Sequence, residues 1–380
     1  ERKRLWVRII DIEERMLDRP EQAMLTLSRA LGEDPADDKL RDRAERLSVR
    51  LHDLESLLGL YEDIIESLAM DHPQRVGFAV RCGELYEGGV GQPLRAAEFY
   101  DLAFQAAAAQ QHPEGERLKL LERIERLYRV SGELQRLAQT LKRKAELVRP
   151  ADANAARHFL SEAAALELNQ LKDFASAIGT LTKVLELAPQ DTAALRSLAE
   201  ACEREGRWPD VAEALERELA ALSPNDRVRA LQARFQLGVV LDQHLGLGEE
   251  ALIQFQAVLQ DAPEHKETRE YLENRIEQRH TGKFDGAIYL MQSYERTGDF
   301  EKAAEILQGQ VPETERQGDK KALFTLLVRI ADLQEQKLAA PDLAFMTLCR
   351  ALRVEPNDPQ LRERLNRLGA QSDVVDDLCE

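Results

Sequence analysis

The sequence lacks long apolar runs, has few cysteines and has no excess of positive charge, and each of these absences excludes a class of protein. No run approaches the roughly 18 apolar residues needed to span a bilayer. Four scattered cysteines form no CxxC pair, so we expect free thiols rather than a zinc site or a disulfide framework. A net charge of −17 argues against a nucleic-acid partner, because phosphate binding needs a basic surface.

Motifs that carry chemistry are missing as well. The seven histidines form no HExxH pair and no spaced His/Cys set. The glycine-rich stretches at 88–91 and 246–248 are not followed by Lys-Ser/Thr, so we interpret them as turns rather than phosphate-binding loops. We therefore predict that the chain is not an enzyme and holds no cofactor and no metal.

What the sequence does contain is an internal repeat. Residues 8–35 align with residues 329–356, and 13 of the 28 positions are identical. From the first copy to the second, an alanine recurs along the chain at Ala23, Ala97, Ala177, Ala251 and Ala344. The first of these spacings is 74 residues. A period of 74 residues corresponds to two units of about 37 residues each. The spacing from Ala251 to Ala344 is longer than the others, and the additional residues predict one more helix near 266–281.

Each unit has the pattern of two helices. In 191–224, Leu195 and Ala199 begin an apolar stripe at helical spacing, and Gly206 interrupts it. Pro209 then lies in the first turn of a second helix. One such pair cannot bury both of its stripes alone, so it has to stack on its neighbours.

This pattern resembles the tetratricopeptide repeat family. The small residue of the family's first helix is matched by Gly83 and Gly238, and its turn by Gly206-Arg207-Trp208 and Gly298-Asp299-Phe300. Its closing proline is matched by Pro35, Pro189, Pro263 and Pro356. Ile10 and Glu125 stand where the family has a small residue. Residues 36–70 match the family pattern poorly, and the odd-numbered units carry an extra residue in the turn between their two helices.

The resemblance implies an all-α, right-handed superhelical solenoid of helix–turn–helix repeats. We predict a single domain over 1–380, with about nine full repeats, one partial repeat and an acidic tail at 369–380. The repeats are predicted to start near residues 3, 37, 75, 114, 153, 191, 227, 285, 319 and 358. The sequence begins with Glu1 instead of methionine, so we expect an excerpt of a longer protein.

Partner binding is predicted on the concave face, which the family builds from its first helices. Three first helices carry an Arg-x-x-Asp/Glu motif, and these candidate residues are Arg8, Asp11, Arg81, Glu84, Arg329 and Asp332. One interpretation is an ion pair within a helix or between repeats that sets stacking. The other is a row of groove charges that meets an oppositely charged peptide.

The middle of the chain offers a different candidate. Phe235, Gln236 and Val239 are mostly apolar, and an exposed Phe235 beside Val239 would form a hydrophobic pocket for a partner. The alternative, held equally open, is that Phe235 packs between neighbouring helices.

The resemblance implies a non-catalytic scaffold that binds a peptide or folded protein. The alternative function is a peptide-sensing regulatory module of a larger enzyme or transcription regulator. We expect no direct membrane insertion and, because lysine and asparagine are rare, no clamp for a chaperone's terminal carboxylate. We predict a bacterial, cytoplasmic protein, with a periplasmic location left open.

Overall fold

The computed structural model describes residues 2–277 and 286–369, and every regular element in those ranges is helical. The all-α fold of helix–turn–helix repeats is therefore confirmed. The chain divides into two compact units, Glu1–Glu205 and Gly206–Glu380. A single continuous domain and a right-handed superhelix remain predictions.

The first unit is a series of antiparallel hairpins in which a first helix packs against a second helix. Its helices are α1 (Arg2–Asp11), α2 (Pro20–Glu33), α3 (Asp38–Leu51), α4 (Leu54–Ser67), α5 (Pro73–Leu85), α6 (Pro93–Ala109), α7 (Glu114–Ser131), α8 (Leu134–Val148), α9 (Ala153–Leu166), α10 (Phe174–Leu187) and α11 (Thr192–Arg204). Odd-numbered helices here are first helices.

The second unit continues the same design. Its helices within the described residues are α12 (Trp208–Ala221), α13 (Arg227–Gln243), α14 (Gly248–Asp261), α15 (Lys266–Glu277), α16 (Ala287–Thr297), α17 (Phe300–Gln317), α18 (Lys320–Gln336), α19 (Pro341–Val354) and α20 (Pro359–Gly369). The hairpins are α13–α14, α16–α17 and α18–α19, and α20 packs against α19.

The predicted repeat starts agree closely with the observed helices. The poorly matching segment 36–70 forms a regular hairpin, α3–α4, because Leu40, Ala44 and Leu47 are buried on one face of α3. Helix α15 occupies most of the predicted extra helix at 266–281. Residues 278–281 of that helix and 370–380 of the predicted tail lie outside the described residues.

Aspartate side chains define where many of the helices begin. Asp37, Asp53, Asp152, Asp173 and Asp191 each stand just before a helix and accept hydrogen bonds from backbone N–H groups of its first turn. Those N–H groups have no partner within the helix, so each cap stabilises its helix by about 1 kcal/mol.

First and second helices pack closely against each other at two glycines. A Cβ atom on Gly238 of α13 would lie 2.6 Å from Cε1 of Phe255 in α14. A Cβ atom on Gly83 of α5 would lie 2.7 Å from Cε1 of Tyr100 in α6. Both aromatic rings are fully buried, so neither can move aside at low cost. The small residue of the repeat pattern is thus a packing requirement.

Two kinds of turn join the helices of a hairpin. In the wide turn a backbone N–H donates to the carbonyl six residues earlier, as in Asp173 to Glu167 and Ala340 to Gln334. In the tight turn the step is five residues, as in Glu133 to Tyr128. The wide turns belong to the odd-numbered repeats and accommodate their extra residue. After α1, α5 and α9 the chain continues into a π-helical turn, over Ile12–Met16, Tyr86–Val90 and Glu167–Leu171 respectively.

We expect Gly238→Ala to lower the free energy of unfolding by about 1–3 kcal/mol, because the new methyl group overlaps the Phe255 ring. Gly309→Ala in α17 is the matched control, since nothing lies within 4 Å of the added atom. The control should stabilise the protein slightly, by about 0.4–1 kcal/mol. Chemical denaturation of both variants measures this difference, and equal stabilities would contradict the close approach.

Candidate functional site

Ion pairs between successive first helices form a row that we call the first-helix ladder. In the first unit it runs through α1, α3, α5, α7 and α9. In the second unit it links α16 to α18 and α18 to α20. Each rung joins a side chain of one repeat to a side chain of the next.

The motif Arg81-x-x-Glu84 contributes two rungs that point in opposite directions. Arg81 reaches back to Glu45 of α3 in a bidentate pair, with both N–O distances at 2.8 Å. Glu84 reaches forward to Arg123 of α7 at 3.2 Å. Arg81 and Glu84 also pair with each other at 3.0 Å, and the hydrogen bond from Arg81 to Glu45 is the main cause that raises the pKa of Arg81.

The second copy of the motif makes the same two connections. Arg329 pairs with Glu295 of α16 at 2.5 Å. Asp332 pairs with Arg364 of α20 at 2.5 Å, and Glu335 supports the same guanidinium group. An arginine reaching back and a carboxylate reaching forward are therefore a repeated device that fixes how neighbouring hairpins stack.

The first copy is half complete. Asp11 reaches forward to Arg43 of α3 at 2.8 Å, and Glu14 adds a second contact at 2.6 Å. Arg8 is exposed and has no ion-pair partner among the described residues. The rungs give the motif a stacking role, and its use in partner binding remains a prediction.

Glu125 of α7 lies beside the ladder and pairs with a buried lysine. Its carboxylate accepts hydrogen bonds from Lys144 of α8 at 2.6 Å and from Arg129 at 2.7 Å. Burial acts to raise the pKa of Glu125, but the hydrogen bonds from these two cations outweigh it and lower the pKa. A charged residue thus replaces the expected small one because a buried lysine neutralises it.

Phe235 lies in an aromatic cluster of the second unit. Its ring centroid is 6.1 Å from that of Phe255, 5.8 Å from that of His265 and 6.2 Å from that of Tyr271. Phe235 and Val239 are half-buried, and Gln236 is exposed. These contacts correspond to the alternative in which Phe235 packs between helices, and a role for this trio in binding remains a prediction.

An apolar pocket of about 570 Å³ opens between the first helices α16 and α18, above α17. Its lining is Ala287, Ile288, Met291, Leu307, Gln310, Thr314, Asp319, Lys321, Ala322, Thr325, Leu326 and Arg329. Ile288 keeps 48% of its surface exposed at the mouth. Arg329, one of the candidate residues from the sequence, stands at the rim and is held there by Glu295.

The corresponding pocket of the first unit has a different character. It lies between α5 and α7 and has a volume of about 450 Å³. Its lining contains Glu84, Glu87, Arg123 and Arg126, which already pair with each other across the two helices. Satisfied charges leave little for a ligand to gain there, whereas the α16–α18 pocket presents unfilled apolar surface.

Sequence reasoning missed Ile288, Met291 and Leu326. Met291 follows Ile288 by three residues, a spacing that puts both on one face of α16, but apolar residues at helical spacing are ordinarily core. The available signal was that the Arg-x-x-Asp/Glu motif is missing from this first helix, which has Tyr289 and Gln292 at the motif's positions.

The described residues contain no group of three or more histidine, cysteine, aspartate or glutamate side chains placed to hold a metal ion. No helix within 2–277 and 286–369 is both long enough and apolar enough to cross a membrane.

The lowered pKa of Glu125 makes a pH prediction. Glu125→Gln should cost about 1.5–3 kcal/mol of unfolding free energy at pH 7, because Lys144 loses its carboxylate partner. A lowered folded-state pKa means that this stabilisation is present above the ordinary glutamate value of about 4.3 and is lost as the pH falls below it. The difference between parent and variant should therefore shrink on acidification.

Denaturant titrations at several pH values measure that difference, with Glu122→Gln as the control. Glu122 is an exposed carboxylate of the same helix with no ion pair in the described part of the chain. A difference for Glu125→Gln that stays constant down to pH 3, or an equal cost for Glu122→Gln, would contradict the assignment.

Residues 168–235 match the family described as tetratricopeptide repeat. No curated protein matches the chain. One similar solved structure is the C-terminal part of a TPR repeat-containing protein from Cytophaga hutchinsonii, which is 13% identical, with 70% of this chain and 98% of that chain covered and a TM-score of 0.32.

Two others are MamA from Desulfovibrio magneticus RS-1 and YrrB. MamA is 16% identical, with 52% of this chain and 99% of that chain covered and a TM-score of 0.28. YrrB, described as a TPR protein with an unusual peptide-binding site, is 18% identical, with 56% of this chain and 97% of that chain covered and a TM-score of 0.30. The match to the family model confirms the predicted tetratricopeptide repeat over residues 168–235.

Proposed function

We propose that this chain is a protein-interaction scaffold that binds a partner segment through the α16–α18 pocket. The observation that carries the proposal is the unfilled apolar pocket between two first helices, beside the Arg329–Glu295 ion pair. Its volume lies within the range of ordinary ligand sites, and its mouth is open between two helices. The ligand is a peptide segment or helix that inserts one apolar side chain.

The lining supports an apolar anchor with polar flanks. Ile288, Met291 and Leu326 offer carbon surface to the inserted side chain. Thr325 and Lys321 stand among the lining residues, where they can hydrogen-bond the partner's backbone. An apolar anchor surrounded by polar contacts is the usual energetic layout of a protein interface.

A preformed pocket also lowers the cost of binding. Leu307 of α17 is buried beneath it, and the Arg329–Glu295 pair fixes the separation of α16 and α18. The partner therefore orders itself on a surface that is already in place, which reduces the entropy lost on association.

Ile288→Glu tests the proposal, because it puts a charge in the mouth of the pocket without touching the core. Peptides selected from a displayed library against the parent should bind this variant at least about tenfold more weakly, since burial of one aliphatic side chain is worth about 1.5–3 kcal/mol. Fluorescence anisotropy with the selected peptides gives the affinities.

Leu343→Glu is the matched control, because Leu343 is 53% exposed and lies on α19, away from the pocket. Its affinity should equal that of the parent. Selected peptides that bind Ile288→Glu as tightly as the parent, or that lose affinity equally for both variants, would contradict the proposed site. Failure of the library to yield any binder would also count against it.

A further inference from the structure

A pocket of about 420 Å³ opens between the second helices α6 and α8 of the first unit. Helix α6 lines it with Arg95, Phe99 and Leu102, and α8 lines it with Arg136 and Arg143. Arg95 and Leu102 are seven residues apart, as are Arg136 and Arg143, so each helix turns one face toward the pocket. The volume lies within the range of ordinary ligand sites. This α6–α8 pocket is separate from the α16–α18 pocket and is formed by other residues.

Part of the wall of the α6–α8 pocket is aromatic. Phe99 of α6 and Tyr128 of α7 both line it, and they are only 6% and 7% exposed. Leu102 is half-buried beside them. Rings that are so nearly enclosed are fixed by the core packing behind them, so they offer a ligand preformed carbon surface.

The charges that line the pocket do not balance. Glu98 pairs with Arg95 at 3.0 Å and with Arg136 at 3.6 Å, so two arginines share one carboxylate. Asp101 accepts hydrogen bonds from Arg143 and also from Gln105, which lies outside the pocket. The lining thus carries three positive charges and two negative ones, although the chain as a whole has a net charge of −17. The α5–α7 pocket differs, because its two arginines face two glutamates.

Ring contacts position two of the guanidinium groups. Cζ of Arg95 lies 5.9 Å from the ring centroids of both Tyr86 and Phe99, and Cζ of Arg136 lies 5.8 Å from that of Tyr128. Such contacts use the flat face of a guanidinium group and leave its edge, with five N–H donors, for hydrogen bonds. One shared carboxylate occupies only some of these donors. The two arginines can therefore bind a further anion without first giving up their position.

Arginine at this place in a second helix is confined to α6 and α8 within the described chain. Arg95 and Arg136 are each the third residue of their helix. In the other second helices the third residue is Gln22, Ser56, Ser176, Asp210, Glu250, Lys302 or Leu343. The hairpins form with all of these residue types, so stacking does not require an arginine there. Two arginines on successive helices are a local feature of this pocket, and anion binding accounts for them.

We propose that the α6–α8 pocket binds a carboxylate group that is joined to an apolar body. The carboxylate accepts hydrogen bonds from Arg95 and Arg136, and the apolar body covers Phe99 and Tyr128. One negative charge brings the sum of the lining charges to zero. A phosphate group carries nearly two negative charges at neutral pH and would leave the pocket negative. The carboxylate belongs either to a free organic acid or to an acidic side chain beside an apolar one in a partner protein.

Two probes distinguish these sources. Hydrocinnamate represents the free acid, and the blocked dipeptide N-acetyl-Phe-Asp-amide represents a protein segment. We expect a Kd on the order of 1 mM for the better of the two, which is ordinary for ligands of this size. Hydrocinnamamide and the Phe-Asn dipeptide are their neutral counterparts and should bind about tenfold more weakly or worse, because they lose the charge-assisted hydrogen bonds. Ligand-observed NMR titrations with the full chain give the Kd values, and the tighter acid identifies the source.

Variants of the pocket should change this affinity in opposite directions. Arg136→Gln removes a charged donor and should raise the Kd of the better probe by about fivefold or more. Glu98→Gln removes the carboxylate that competes for both arginines, so it should lower the Kd by about threefold or more. A side chain that served only to join the helices would not improve binding when it is neutralised.

Arg217→Gln is the matched control for Arg136→Gln. Arg217 lies on the second helix α12, pairs with Glu213, and its side chain is 40% exposed compared with 47% for Arg136. It lies outside the α6–α8 pocket, so its variant should bind the probe with the Kd of the parent. Circular dichroism checks that all three variants keep the helix content of the parent.

Four outcomes would overturn the proposal. The first is the absence of saturable binding of either acid. The second is equal affinity for an acid and its neutral counterpart. The third is weaker binding to Glu98→Gln than to the parent, or an equal loss for Arg136→Gln and Arg217→Gln. The fourth is inorganic phosphate that binds more tightly than both acids, which would assign the pocket to a phosphate group.

Discussion

The structure depends on one constraint: no hairpin can bury its own apolar residues. A first helix has a stripe that its second helix covers and another that the preceding hairpin covers, as the contacts of Phe78 with Tyr61 show. Burial is therefore shared between neighbours, and the stability of one repeat depends on the repeats beside it. Close approach at Gly83 and Gly238 is the local form of the same requirement.

Charge is organised by the same stacking. A net charge of −17 suggests a uniformly acidic surface, yet the first helices carry pairs of opposite sign that join successive repeats. An exposed ion pair stabilises a protein only weakly. Its larger effect here is on register, because Arg81 and Glu84 can meet Glu45 and Arg123 in only one alignment of the three helices. The ion pairs of the first-helix ladder thus set the alignment of neighbouring repeats, whose association comes from apolar contacts.

Much of this fold could be predicted from the sequence, because a repeat copies its helical spacing many times. The stripe that includes Leu40 and Ala44 was enough to place α3 even where the family pattern was weak. The left-handed backbone at Lys172 and Ala339 could not be predicted, since neither residue type favours it. Those conformations follow from the width of the turn, which only the assembled hairpin shows.

The candidate site was harder to predict, for a different physical reason. The Arg-x-x-Asp/Glu motif was visible, but periodicity does not reveal that Arg81 reaches back and Glu84 reaches forward. Ring partners of Phe235 come from α14 and α15 and from the loop between them, so no local pattern indicates them. The pocket at Ile288 likewise exists only because two helices that are distant in sequence leave a gap above α17.

Alternation of the two turns bears on how such a chain can change its length. A wide turn follows the first helix of one repeat and a tight turn follows that of the next, so the unit that copies itself faithfully is the 74-residue pair. Gain or loss of a whole pair leaves every wide turn beside a tight one. Gain or loss of one hairpin places two like turns side by side and changes the spacing of the rungs between them. The lone helix α15 separates α13–α14 from α16–α17, yet the turns on its two sides still alternate, wide in α13–α14 and tight in α16–α17. The added helix therefore lengthens the spacing between these hairpins without changing the order of the turns.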